Sequence, residues 1–191
     1  MNFRDLTANE IECRVQSVRE TPRGKGLILL LYKDARVDMN ILDETVRAEN
    51  WQREHYECKG NMFCRVGIRV GADIALSAES VSLTNPNWVW KSDCGTESNT
   101  EAQKGEASDS FKRACFNWGI GRELYTAPFI WINEAVCNIE EKKDRNGKIA
   151  LVCSDKFAVE KIIIDNKRIT ALSIWNMTKN CRAYVWQEKT Q

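Results

Sequence analysis

The feature that most constrains the fold is one amphipathic stretch set among strand-like runs. Wound at about 100° per residue, positions 104–118 bring Ala107, Phe111, Ala114, Cys115 and Trp118 within roughly a 100° arc. An apolar stripe that wide is what a helix needs to lie on a sheet. The spacing predicts a helix over about 100–118, and Gly119 supplies a residue suited to the left-handed turn that ends helices. A second amphipathic helix is expected over 35–49, with Val37, Ile41, Leu42, Thr45 and Val46 on one face and Asp34 as a candidate N-cap. Most of the rest reads as strands and turns. Runs 56–58 and 62–66 flank Lys59-Gly60-Asn61 as a hairpin, and Arg65 and Arg69 share one side with Gly67 between them. In 88–91 both indoles of Trp88 and Trp90 point the same way. Runs 157–165 and 168–175 form a hairpin about Asn166-Lys167, and 184–186 is a last strand. Segment 11–17 reads as a short strand or turn, 21–26 as a flexible basic turn, and 27–32 as a strand or helix start. Further on, 74–83 reads as a strand or short helix, 85–87 as a turn, 93–100 as a polar loop, and 140–148 as a charged turn. The expected class is α+β, an antiparallel sheet with packed helices plus a C-terminal β-hairpin unit, divided into 1–132 and a β-rich extension, 133–191.

Composition excludes several functions. The chain has 191 residues, 43% of them hydrophobic, enough for a core. No apolar run approaches the roughly 18 residues of a membrane span, and no signal-peptide pattern opens the sequence. The expectation is a soluble, intracellular protein with no membrane partner. His55 is the only histidine, so no two-histidine metal site can form. The eight cysteines include no CxxC pair, which argues against a zinc knuckle, and they read mostly as buried thiols. There is no GxxxxGK[ST] loop for ATP, and Gly119-Ile120-Gly121 is too short for a dinucleotide fingerprint. No cofactor is expected. Twenty-eight basic and 27 acidic side chains leave a formal charge of +1, so binding to a polyanion would rest on local arrangement.

Such an arrangement exists on the far face of the 104–118 helix, where Lys112, Arg113, Asp109 and Phe116 gather. Lysine and arginine hold phosphates and an aromatic ring stacks on a base, which is the chemistry of single-strand binding. The same pattern suits a solvated face with Phe116 packed on another subunit or on the C-terminal strands. Trp88 and Trp90 divide the same way, between base stacking and core. The carboxylates Asp93, Glu97, Glu101, Glu106 and Asp109 would suit a metal-dependent nuclease, although solvated carboxylates are the simpler reading. A double-stranded nucleic acid or RNA-binding module is a further alternative.

Three motifs in order carry a resemblance. The run 104–119, with Ala107, Asp109, Phe111-Lys112-Arg113-Ala114 and Trp118-Gly119, resembles the signature helix of the Rad-fifty-two superfamily of single-strand annealing proteins, which has many phage members. Ala35-Arg36-Val37, opening a helix that ends near Asn50-Trp51, resembles that family's first helix. Asp93-Cys94-Gly95 resembles its Asp-x-Gly strand end. The resemblance spans about 35–121. It implies a β-β-β-α core and assembly as a homo-oligomeric ring or helical filament. It also implies single-stranded DNA in a basic groove, annealed without nucleotide hydrolysis in recombination or repair. An exonuclease or a single-strand-binding protein is an implied partner, and the cytoplasm of a bacterium or a phage-infected host is the implied setting. By resemblance Arg36, Lys104, Lys112 and Arg113 contact phosphates. Phe116 stands where one branch has a basic residue, which implies either a ring that stacks on a base or a different groove chemistry. His55 reads as a surface or turn residue.

Overall fold

A computed structural model of the chain describes all residues except 23, 71–86, 97–101, 144–146, 148, 190 and 191, and only the backbone of 102–104. The chain divides into two compact units: Met1–Arg4 with Ala35–Gly121, and Asp5–Asp34 with Arg122–Gln191. The run 74–83 and the turn expected at 85–87 lie outside the described residues, apart from Asn87.

The first unit is a β-β-β-α arrangement. Helix α1 (Ala35–Val46) buries Ile41, Leu42 and Val46, a helically spaced face. It stops three residues short of the expected 49 because Arg47 takes a left-handed φ of 70°, and a 3-10 turn, Ala48–Asn50, follows. The sheet comprises β3 (Trp51–Cys58), β4 (Asn61–Val70) and β5 (Asn87–Cys94), antiparallel in that order. Lys59 and Gly60, at φ of 53° and 78°, form the tight turn between β3 and β4. Two successive positive φ values match the right-handed twist of a hairpin. Helix α2 (Ala102–Trp118) packs on β4 and β5 and also meets α1. Between them Cys64, Val66, Ile68, Phe111, Ala114 and Cys115 are fully buried.

The second unit has β1 (Glu12–Thr21), β2 (Gly24–Tyr32), β6 (Ile130–Asn133), β9 (Phe157–Asp165), β10 (Arg168–Asn176) and β11 (Cys181–Gln187). They form one sheet in the order β11-β10-β9-β1-β2-β6, in which β1 and β9 register only at Glu12 and Ala158. The segment 11–17 is therefore part of a long strand reaching Thr21, and 27–32 is strand, not helix. Its core includes Leu27, Leu29, Ile130, Ile132, Ile169, Leu172 and Ile174. The expected 157–175 hairpin forms as read, with Asn166 and Lys167 both at positive φ. The charged run at 140 differs from its reading as a turn. Glu140–Lys143 (β7) pairs with Ile149–Val152 (β8), because a two-stranded ribbon exposed along β7 tolerates charge at every β7 position.

Asp155 knits this unit. It accepts from the Asn138 backbone and amide at 2.8 and 2.9 Å and from Asn176 at 2.7 Å. Burial pushes its pKa up, but these donors outweigh it and hold the carboxyl below the ordinary range. Burial pushes the nearby Cys137 thiol up to about 12. All eight cysteines are thiols, of which only Cys64, Cys115 and Cys137 are buried. Among the described residues no helix is long and apolar enough to cross a membrane.

Candidate nucleic-acid interface

The Asp93-Cys94-Gly95 strand end fixes where α2 lies. A Cβ on Gly95 would stand 2.2 Å from the Glu106 carbonyl oxygen and 3.0 Å from the Ser110 nitrogen, so only glycine lets the helix backbone pass this close. Polar bonds then lock the helix to the sheet. Glu106 accepts from the Met62 backbone at 2.8 Å, and Trp118 donates its indole N–H to the Val66 carbonyl at 3.0 Å. His55 is not a surface or turn residue: it sits half-buried in β3 and donates from Nε2 to the Ala107 carbonyl at 3.0 Å. At the far end Lys91 Nζ donates to the Asn117 carbonyl at 2.8 Å and lies 4.6 Å over the Trp118 ring. A cation there complements the negative end of the helix dipole. The helix ends as its sequence suggests. Gly119, at φ 100°, donates to Phe116 O at 2.9 Å, and Ile120 donates to Cys115 O at 3.1 Å. This paired closure satisfies the last carbonyls, while buried Ile120 seals the apolar end.

All five candidate contacts fall in this unit. Lys112 and Phe116 are one turn apart on α2 and both are half-buried. Lys112 has no hydrogen bond or ion pair with a described residue. Arg113 faces differently from a solvated cation. It turns toward β5, where its Nε lies 3.4 Å from Asp93 Oδ1, with the two side chains 41% and 31% exposed. Asp93 also accepts from the Cys94 backbone at 2.8 Å and from Asn117 at 3.4 Å. A half-exposed pair of this kind is weak, about 1 kcal/mol or less. Arg36 is exposed in the first turn of α1. Lys104 lies in the first turn of α2, and its side chain is outside the described residues.

Asp93 as the partner of Arg113 was not legible as such. The signal available was its place two residues before Gly95, where the strand meets the helix. Among the acidic residues considered for a metal, Glu97 and Glu101 lie outside the described residues. Glu106 is used on Met62, and Asp109 accepts from the Thr96 backbone and hydroxyl, both at 3.1 Å. Among the described residues no group of three His, Cys, Asp or Glu side chains is placed to hold a metal.

A family model described as "Rad52/22 family double-strand break repair protein" matches residues 4–144, a span that includes α1, β3, β4, β5 and α2. No curated protein and no solved structure matches the chain. With a match over well more than half its length, the chain belongs to the Rad52/22 family of double-strand break repair proteins.

Proposed function

We propose that this chain binds single-stranded DNA and anneals complementary strands without ATP during recombination or repair. The observation that carries the reading is the one continuous helix. It presents Lys112 and Phe116 one turn apart, with Arg113 on its flank, inside the family-matched segment. Phosphate contacts from Arg36, Lys104, Lys112 and Arg113 offset the repulsion between two strands. Holding each backbone extended lowers the ordering cost of pairing, and Phe116 stacks on a base. Base pairing, not the protein, reads sequence. The annealing activity belongs to 1–132, with 133–191 as a β-rich extension. Many copies arranged head to tail in a ring or helical filament make weak contacts act together. An exonuclease or single-strand-binding protein supplies or covers the strands. No bond is made or broken, so the protein is not an enzyme.

The test is annealing of two complementary dye-labelled oligonucleotides without ATP, at several salt concentrations. Wild type is compared with Lys112→Ala/Arg113→Ala. Wild type accelerates pairing, and the double variant does not. The dependence of log K on log salt becomes shallower by about 1.4, the release expected for two single-strand phosphate contacts. An equal rate and slope in the double variant would remove this groove from the mechanism. Absence of both binding and annealing in wild type would overturn the reading altogether. Duplex RNA binding or Mg²⁺-dependent cleavage would then be measured.

A further inference from the structure

The β3–β4–β5 sheet has a second face, away from α2, that the proposed groove does not use. Register places Gly67 opposite Trp90 and Arg69 opposite Trp88, with Arg65 and Glu54 opposite one another on the same side. Trp90 lies flat on the sheet because Gly67 has no side chain: a Cβ there would stand 2.8 Å from the ring. The Arg65 guanidinium lies 4.7 Å from the centre of the Trp90 ring. Glu54 holds it there through Nε at 3.0 Å and Nη2 at 2.6 Å, and the arginine side chain remains 44% exposed. Trp88 continues the row, 6.1 Å from Trp90 and inclined by 33°. Beside it, the Nε of Arg69 is buried and has no hydrogen-bond partner among the described residues. A buried donor without an acceptor is a standing cost that a bound acceptor would remove.

We infer that this sheet face is a second binding surface for single-stranded DNA. It lies on the opposite side of the β-β-β-α layer from Lys112 and Phe116. The inference rests on the reading of the chain as a single-strand binder, and it names where a second strand is held. Three observations select the occupant. Trp88 and Trp90 are half-buried rings in a row, and Arg65 offers a guanidinium plane, the surfaces on which unpaired bases stack. Among the described residues of this face Arg65 and Arg69 outnumber Glu54, a surplus of positive charge suited to phosphate. The unsatisfied Arg69 donor points to a ligand rich in acceptors, namely phosphate oxygens or base carbonyls. An annealing protein with strand sites on both sides of one layer can hold a strand on each without the two meeting prematurely.

The experiment uses the full chain and a single-stranded oligonucleotide carrying photoreactive halogenated uracil, with cross-linked peptides mapped by mass spectrometry. Expected are cross-links to Trp88 or Trp90 that persist in Lys112→Ala/Arg113→Ala. They are lost in Trp88→Leu/Arg69→Gln, while cross-links to α2 remain. The binding that survives in the α2 variant should weaken about tenfold on adding Trp88→Leu, the scale of one lost stack, and be retained with Trp88→Phe. Retention by the phenylalanine variant separates stacking from misfolding. Cross-links confined to α2 would overturn this inference and leave the proposed function standing. No cross-link anywhere, with no binding, would overturn both. Loss of self-association in Trp88→Leu without any cross-link to the sheet would also overturn it, because the face would then be covered by a second copy of the chain.

Discussion

Gly95→Ala is the sharpest perturbation of the site that leaves every proposed DNA contact in place. The added methyl would stand 2.2 Å from the Glu106 carbonyl oxygen and 3.0 Å from Glu106 C and Ser110 N. These are backbone atoms of α2, so no side-chain rotation relieves the contact. Helix and strand must part by about 1 Å to restore ordinary separation. Gly95 has no left-handed φ, so the whole effect is steric. Overpacking costs typically about 1–3 kcal/mol, and backbone against backbone belongs at the top of that range. For a chain of this length, about 3 kcal/mol lowers Tm by roughly 10 °C. Gly60→Ala is the control. Its φ of 78° strains an L residue, but nothing lies within 4 Å, so only about 1–2 kcal/mol is expected. Thermal unfolding by circular dichroism ranks the two, and annealing rates at a temperature where both remain folded report the displaced helix. A Gly95→Ala protein that melts within about 2 °C of wild type, or higher than Gly60→Ala, would refute the packing argument.

Phe111→Ala should cost about 3–5 kcal/mol by denaturant titration. The ring is fully buried, 6.1 Å from Trp51 and 4.7 Å beneath the Arg53 guanidinium. Asp155 gives the second unit an acid limit. Its folded pKa is held below the ordinary carboxyl range, so its contribution is complete above that range and disappears as pH falls through the lowered value. Stability measured against pH should therefore decline less steeply on the acid side in Asp155→Asn than in wild type. An unchanged acid limb would show that other carboxylates set it.

Elements with a local pattern were legible, and elements made by distant pairing were not. The 104–118 stripe reads as a helix because its apolar spacing lies within one segment, and Phe111, Ala114 and Cys115 are indeed buried. The 157–175 hairpin is equally local. Nothing in 12–32 announces that β2 pairs with Ile130–Asn133 or that β1 touches β9, because backbone pairing carries no residue code across such separations. At the site, a helical wheel separates inside from outside but says little about the flanks. The wheel puts Arg113 on the far face with Lys112 and Phe116, whereas a strand residue, Asp93, draws it toward β5. His55 shows a similar limit. Its acceptor is a backbone carbonyl, and every residue has one, so sequence gives no hint of it.

The division of the chain has a consequence for synthesis. Ala35–Gly121 is nearly continuous, whereas the other unit is assembled from segments on both sides of it. As the chain is made from its N-terminus, the β-β-β-α unit has all its strands before the second sheet has half of its own. The β1–β2 hairpin must wait: Leu29 for Ile130, and Glu12 for Ala158. Through that interval the β1 and β2 edges present unpaired N–H and C=O groups, the hazard that open edges carry. Translation therefore passes through a stage in which α2 is already seated while the hairpin preceding it still lacks its neighbours.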